Sequence, residues 1–183
     1  MPALTADQAL DAAIGDTQAG RLLVHGAGGV TGQLIAALGV VVGAEVAVTA
    51  GPRSAERLRE LGAAVFDYHD GDWPAMVRDW AGGGGVAAAI NAAPGGEAAA
   101  LSTVADGGRL ATITGAPPAA ARGVTIVDIY VQADGGRLAS MAERLGNGEI
   151  GISVGGIYSL AAAADAFKLA VGGGGGGAVV LRV

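Results

Sequence analysis

An α/β fold, a parallel sheet covered by helices on both faces, is what this sequence predicts. Three observations carry it. Short apolar runs alternate with amphipathic segments along the chain. A glycine-rich turn joins the first strongly apolar run to the first long amphipathic one. Small residues abound, with 34 glycines among 183 residues, so helices can lie close to a sheet. Strict alternation with right-handed crossovers leaves the doubly wound arrangement, strand order 3-2-1-4-5-6, as the natural solution.

The elements follow in order. Residues 5–14 read as a helix, ended by a break at Gln18-Ala19-Gly20. Residues 21–25 form a short apolar run of the kind buried on both faces of a parallel sheet. Val30, Leu34, Ile35, Leu38 and Val42 then recur at helical spacing. Residues 45–50 are a second strand, and Pro52 opens a helix at the favoured first-turn position. That helix carries Leu58 and Leu61 inward and stops at Gly62. Strands are expected at 63–68, 86–91, 109–114 and 124–131, with helices at 72–81 and 96–105 between them. Asp134 caps a helix with an inner face of Leu138, Met141, Ala142 and Leu145. The tail offers a strand at 150–154, a helix at 160–171 and a last strand at 178–183. The six glycines 172–177 fit nothing packed and are expected to form a flexible loop.

Composition excludes several functions. The net charge is −6 with a single lysine, Lys168, and no basic stripe, so nucleic acid is not an expected partner. No apolar run reaches the roughly 18 residues of a membrane helix, and an acidic chain is repelled by anionic lipid. No signal peptide opens the chain, and cysteine is absent, which excludes disulfides and thiol chemistry and suits a cytoplasmic protein. Only two histidines, His25 and His69, are present, on different segments, so no zinc set forms and no metal is expected. No tyrosine is followed four residues on by lysine, and no serine sits in a nucleophile elbow. No catalytic residue can be named.

The turn Gly26-Ala27-Gly28-Gly29-Val30-Thr31-Gly32 is the strongest candidate site. In a chain this rich in glycine the motif alone is weak; its place between strand and helix gives it weight. Gly26 permits the tight turn, Gly29 lets backbone approach a pyrophosphate, and Gly32 lets helix and strand pack closely. The N–H groups near Val30 and Thr31 then face the phosphates. At the end of the second strand an NAD enzyme carries an acid for the ribose hydroxyls. Here stands Thr49-Ala50-Gly51-Pro52-Arg53-Ser54, with no acid. Arg53 and Ser54 suit a 2′-phosphate, so NADP(H) is the expected cofactor; the plain alternative makes Arg53 a solvated helix-start charge.

With these residues in view, the chain resembles the cofactor-binding domain of the medium-chain dehydrogenase/reductase superfamily, in its zinc-independent quinone oxidoreductase and enoyl reductase branch. The resemblance runs from Leu22 through the glycine turn and resumes at Glu56-Arg57-Leu58-Arg59-Glu60-Leu61-Gly62-Ala63. It continues at Phe66-Asp67-Tyr68 and Gly107-Gly108-Arg109-Leu110, and returns in the tail at Tyr158-Ser159-Leu160 and Val179-Val180-Leu181. It implies a Rossmann fold in which Arg53, Ser54 and Tyr68 surround the 2′-phosphate. Asn91 and Gly115 would end strands on the nicotinamide side. The plain alternatives are an ordinary strand-end aromatic for Tyr68 and a turn-capping amide for Asn91. The resemblance implies a domain at 1–149 and a tail at 150–183 that packs, in the family, on an N-terminal catalytic domain this chain does not carry. It also implies hydride transfer to a quinone or enone, and a homodimer that continues the sheet through the strand from Val124 to Val131. The competing function is a nucleotide-binding module that holds NADPH without turnover.

Overall fold

The structure, a computed structural model, describes residues 1–15 and 20–183. The expected break at Gln18 and Ala19 therefore lies outside the described residues. Six strands form one parallel sheet: β1 (Arg21–His25), β2 (Glu45–Thr49), β3 (Ala64–Phe66), β4 (Val86–Asn91), β5 (Val104–Thr112) and β6 (Thr125–Asp128). Their order is β3-β2-β1-β4-β5-β6, the predicted one. The chain adds strands to one side of β1 up to β3 and then to the other side from β4 on, and this switch in order opens a crevice beyond the C-terminal ends of β1 and β4, where doubly wound sheets bind ligands.

Helices cover both faces. Helices α1 (Pro2–Ile14), α2 (Val30–Val41) and α6 (Gly135–Gly146) bury Ala9, Leu34, Ile35 and Met141 against Leu22, Val24, Val48 and Ile90. Helix α3 (Pro52–Glu60) adds Leu58 to the same layer. On the other face, α4 (Trp73–Trp80) and α5 (Glu97–Thr103) lay Trp73, Val77, Ala100 and Leu101 over Leu23, Ala47, Ala89 and Leu110. Each fully buried Leu or Ile contributes about 2 kcal/mol. The Asp134 carboxylate accepts from the Arg137 N–H and caps α6 as expected. The Arg137 guanidinium then pairs with Asp7 and Asp11, tying α6 to α1. Arg109 reaches from β5 to the Ala12 carbonyl at 2.9 Å.

The remaining strands, β7 (Val154–Ser159) and β8 (Ala178–Arg182), form a parallel pair of their own, joined by α7 (Ala163–Val171). The sixth strand, expected at 124–131, is only the four residues of β6, and three further expectations shift. The strand expected at 150–154 is β7, which starts where that stretch ends. Gly155 and Gly156 disguise it, although a Cβ on Gly156 would stand 2.8 Å from the Tyr158 ring. Strand β5 starts at Val104, five residues early, because Val104 pairs with Val86 ahead of an irregular stretch through Gly107 (φ +73) and Gly108, after which regular pairing with β4 resumes at Arg109. Helix α5 stops accordingly at Thr103.

The third concerns the glycines 172–177, expected as a flexible loop. They fold into a short 3-10 turn (Gly174–Gly176). Gly176 and Gly177 are buried. A Cβ on Gly177 would lie 2.6 Å from the Ser153 carbonyl oxygen, so only glycine fits there. The Gly176 carbonyl accepts from Gln33 Nε2 at 3.0 Å and Arg57 Nη2 at 2.7 Å. Burial of these last two glycines and the bonds to the Gly176 carbonyl hold the end of the run in place.

Candidate functional site

A cleft of about 880 Å³ opens at the C-terminal ends of β1, β2 and β4. Its floor is the turn after β1. Gly26 has φ +91, and a Cβ on it would stand 2.9 Å from the Ala93 amide nitrogen. Gly32 lies six residues on, in the first turn of α2, where a Cβ would come within 2.4 Å of the Gly26 carbonyl oxygen. Gly29 is different. Its φ of −86° suits any residue, and a Cβ there would meet nothing within 4 Å. Since Gly29 lines the cleft, its bare backbone leaves room for a ligand at the N-terminus of α2. Gly26, Gly28 and Gly29 line the cleft directly. Ala27 is fully buried, Gly32 packs beneath, and Val30 leans on the core. Val30 and Thr31 start α2, whose first N–H groups have no carbonyl within the helix.

The lip after β2 joins this floor. Gly51, Pro52, Arg53 and Ser54 begin α3, with Ser54 buried and Arg53 exposed. Tyr68 stands across from them, its hydroxyl 3.5 Å from where a Gly51 Cβ would be. So Arg53, Ser54 and Tyr68, separate in sequence, share one end of the cleft. Asn91 and Gly115 do not line it. Asn91 is fully buried, donates to Thr112 Oγ1 at 3.3 Å, and its Oδ1 accepts from the Ala93 N–H. Gly115 is exposed and sits near the Tyr130 hydroxyl.

His25, Thr49 and Trp73 also line the cleft, and Gln33 and Glu97 support it from outside the lining. Thr49 Oγ1 accepts from the Gly26 N–H at 3.0 Å and lies 2.6 Å from His25 Nδ1. The His25 ring stacks on Trp73 with centroids 4.6 Å apart. Burial pushes the His25 pKa down, partly offset by the Glu97 carboxylate, so the ring stays neutral at neutral pH. Glu97 Oε1 accepts from Thr114 Oγ1 at 2.7 Å and from the Gly95 N–H at 3.2 Å. The Thr114 bond, with the backbone donors, holds the Glu97 pKa down. Gln33 Nε2 bridges the Gly28 and Gly176 carbonyls, each at 3.0 Å, and so links the turn to the glycine run that forms the far wall. The one signal for Gln33 was a polar residue amid the apolar positions of α2. Thr49 offered only a polar strand end.

Fold and cleft together define a Rossmann-type α/β domain. The chain belongs to a family described as zinc-binding dehydrogenase, whose model matches residues 61–181. Solved structures agree. An NAD-dependent alcohol dehydrogenase is 26% identical, with 98% of this chain and 57% of that chain covered and a TM-score of 0.86. A mycobacterial protein complexed with NADPH is 24% identical, with 100% and 62% covered and a TM-score of 0.86. The quinone oxidoreductase from Coxiella burnetii is 23% identical, with 100% and 58% covered and a TM-score of 0.85. The chain thus spans about three-fifths of the length of these proteins. Comparison with curated proteins finds no match.

The family description names zinc, but the residues here do not fit it. No cysteine exists, and Nδ1 of each histidine is engaged, with Thr49 for His25 and Asp67 for His69. Among the described residues no three metal-ligating side chains cluster. Likewise, no helix among them is long and apolar enough to cross a membrane.

Proposed function

We propose that this chain is the NADP(H)-holding part of an oxidoreductase of the quinone or enone reductase type. The observation that carries the cofactor choice is the lip after β2. No carboxylate reaches a ribose there, while Arg53, Ser54 and the N-terminus of α3 converge on one end of the cleft. A cation, a hydroxyl and the positive end of a helix suit a phosphate; an acid would suit two ribose hydroxyls. The turn from Gly26 to Gly32 would take the pyrophosphate, with Ala27, Gly28, Gly29, Val30 and Thr31 giving backbone. Tyr68 would flank the 2′-phosphate. Asn91 would shape the β4 end, and Gly115 would border the nicotinamide half. The cofactor supplies the hydride when bound; the protein orients it and keeps water away. Substrates would be small quinones or enones.

Titration of NADPH and NADH against the purified chain, followed by nucleotide fluorescence, tests this. NADPH should bind at least ten-fold more tightly. Equal affinities would overturn the cofactor choice. Turnover with NADPH and a small quinone, measured beside affinity, separates an enzyme from a module that only binds. The edge strand β6 also supports a homodimer that continues the sheet through its copy. Light scattering at micromolar concentration should give twice the chain mass. A cysteine-free chain that uses NADP(H) fits a cytoplasmic setting.

A further inference from the structure

We propose that His69, held by Asp67, is an additional side chain of the 2′-phosphate end of the cleft and sets the preference for NADPH over NADH. The inference rests on the NADP(H) reading above. Its starting point is an electrostatic puzzle. The loop that closes this end of the cleft, residues 67–72, carries Asp67, Asp70 and Asp72. Three carboxylates oppose a phosphate nearby.

The geometry answers part of it. Asp67 Oδ1 accepts from both the His69 N–H at 3.0 Å and His69 Nδ1 at 2.7 Å. These two bonds hold the Asp67 carboxyl below its usual range. One Asp67 oxygen is therefore engaged by His69, and Asp67 is not among the residues that line the cleft. Asp70 is likewise turned back on its own loop, accepting from the Asp72 N–H at 3.0 Å.

With Nδ1 donating to Asp67, Nε2 is the ring nitrogen left over, and it has no partner among the described residues. The ring lies tilted against Tyr68, centroids 4.1 Å apart. Its Cε1, the atom between the two nitrogens, is 3.7 Å from where a Gly51 Cβ would be. Gly51 is the N-cap of α3. Tyr68 and His69 thus close over the residue from which Arg53 and Ser54 depart, and all four line the cleft. A protonated imidazole there gives a phosphate oxygen one more charged donor. An NADH ribose hydroxyl gains no comparable charge pairing, so the contact acts on the difference between the two nucleotides.

The test compares NADPH and NADH affinity in the full chain and three variants, by nucleotide fluorescence. His69→Phe keeps the ring stack and removes the donor; it should weaken NADPH about five-fold and leave NADH unchanged. His69→Arg supplies a permanent cation and should keep the wild-type preference. Asp67→Asn frees the ring and should lower the preference about two-fold. An unchanged NADPH to NADH ratio in His69→Phe overturns the role of His69 and leaves the NADP(H) reading intact. Equal loss of both nucleotides assigns His69 a structural role and overturns the proposal too. A wild-type chain without preference for NADPH overturns both readings together.

Discussion

Two glycine-rich segments face each other across the cleft, and they work differently. In the turn from Gly26 to Gly32 each glycine has its own task. Gly26 and Gly32 have no room for a Cβ, and Gly29 has all the room it needs. In the run 172–177 the side-chain space is set from outside. Gly177 is pinned against Ser153, Gly173 meets nothing within 4 Å, and the Gly176 carbonyl is gripped by Gln33 and Arg57. A glycine's meaning lies in what its missing Cβ would strike, which spacing shows only when the obstacle is local. The obstacle to Gly32 is the Gly26 carbonyl, six residues away; that to Gly177 is Ser153, across the strand pair.

Substitutions can break this contrast. The largest effect is expected from Gly32→Val. Its Cβ meets backbone at 2.4 Å, so the turn must move, and we expect a loss of about 4 kcal/mol or no folding in urea melts. Next comes Gly177→Ala, whose Cβ meets the Ser153 carbonyl at 2.6 Å; about 2 kcal/mol should be lost in the same melts. Gly29→Asp should reverse the pattern. Its backbone tolerates a side chain, so stability should stay within about 0.5 kcal/mol. A carboxylate beside the phosphate path should cut NADPH affinity more than ten-fold in a fluorescence titration. If Gly29→Asp unfolds the protein instead, the open space at that position is misassigned.

The smallest expected effect is one of pH. Burial places the folded-state His25 pKa below the ordinary 6.5. The unfolded chain then binds the proton more readily, so this contribution to stability is complete above about pH 6.5 and is lost as pH falls through the lowered value. Urea melts between pH 7.5 and 5 should show stability falling toward acid. His25→Gln should flatten that slope. An unchanged slope would mean that the ring is not the group responsible.

Much of the architecture was legible because it follows from local pattern. Apolar runs and helical spacing gave six strands in the right order, and strand bounds such as those of β1 and β4 needed no adjustment. Gly32 was legible because its obstacle, the Gly26 carbonyl, lies in the same turn, whereas the obstacle to Gly26 is Ala93, brought in by β4. The other half of the site was hidden, because it forms between elements far apart in sequence. The Gln33 bond to Gly176 spans 143 residues, and no periodicity announces it. Thr49 and His25 meet only because β1 and β2 align in register. Glu97 reads as a first-turn helix acid until Thr114 arrives from beyond β5.

The register has one more consequence. Thr49, His25, Asn91, Thr112 and Asp128 stand side by side on five neighbouring strands. Two residues earlier on the same strands, and so on the same face, stand Ala47, Leu23, Ala89, Leu110 and Ile126. The sheet therefore changes from apolar to polar along a single line. Below that line a substitution opens a void or buries an unmet charge, and the fold suffers. Beyond it, at loop positions with open space such as Gly29, side chains can be exchanged with little effect on the core. A lineage built on this sheet can thus change its choice of ligand in small inherited steps while the scaffold beneath stays the same.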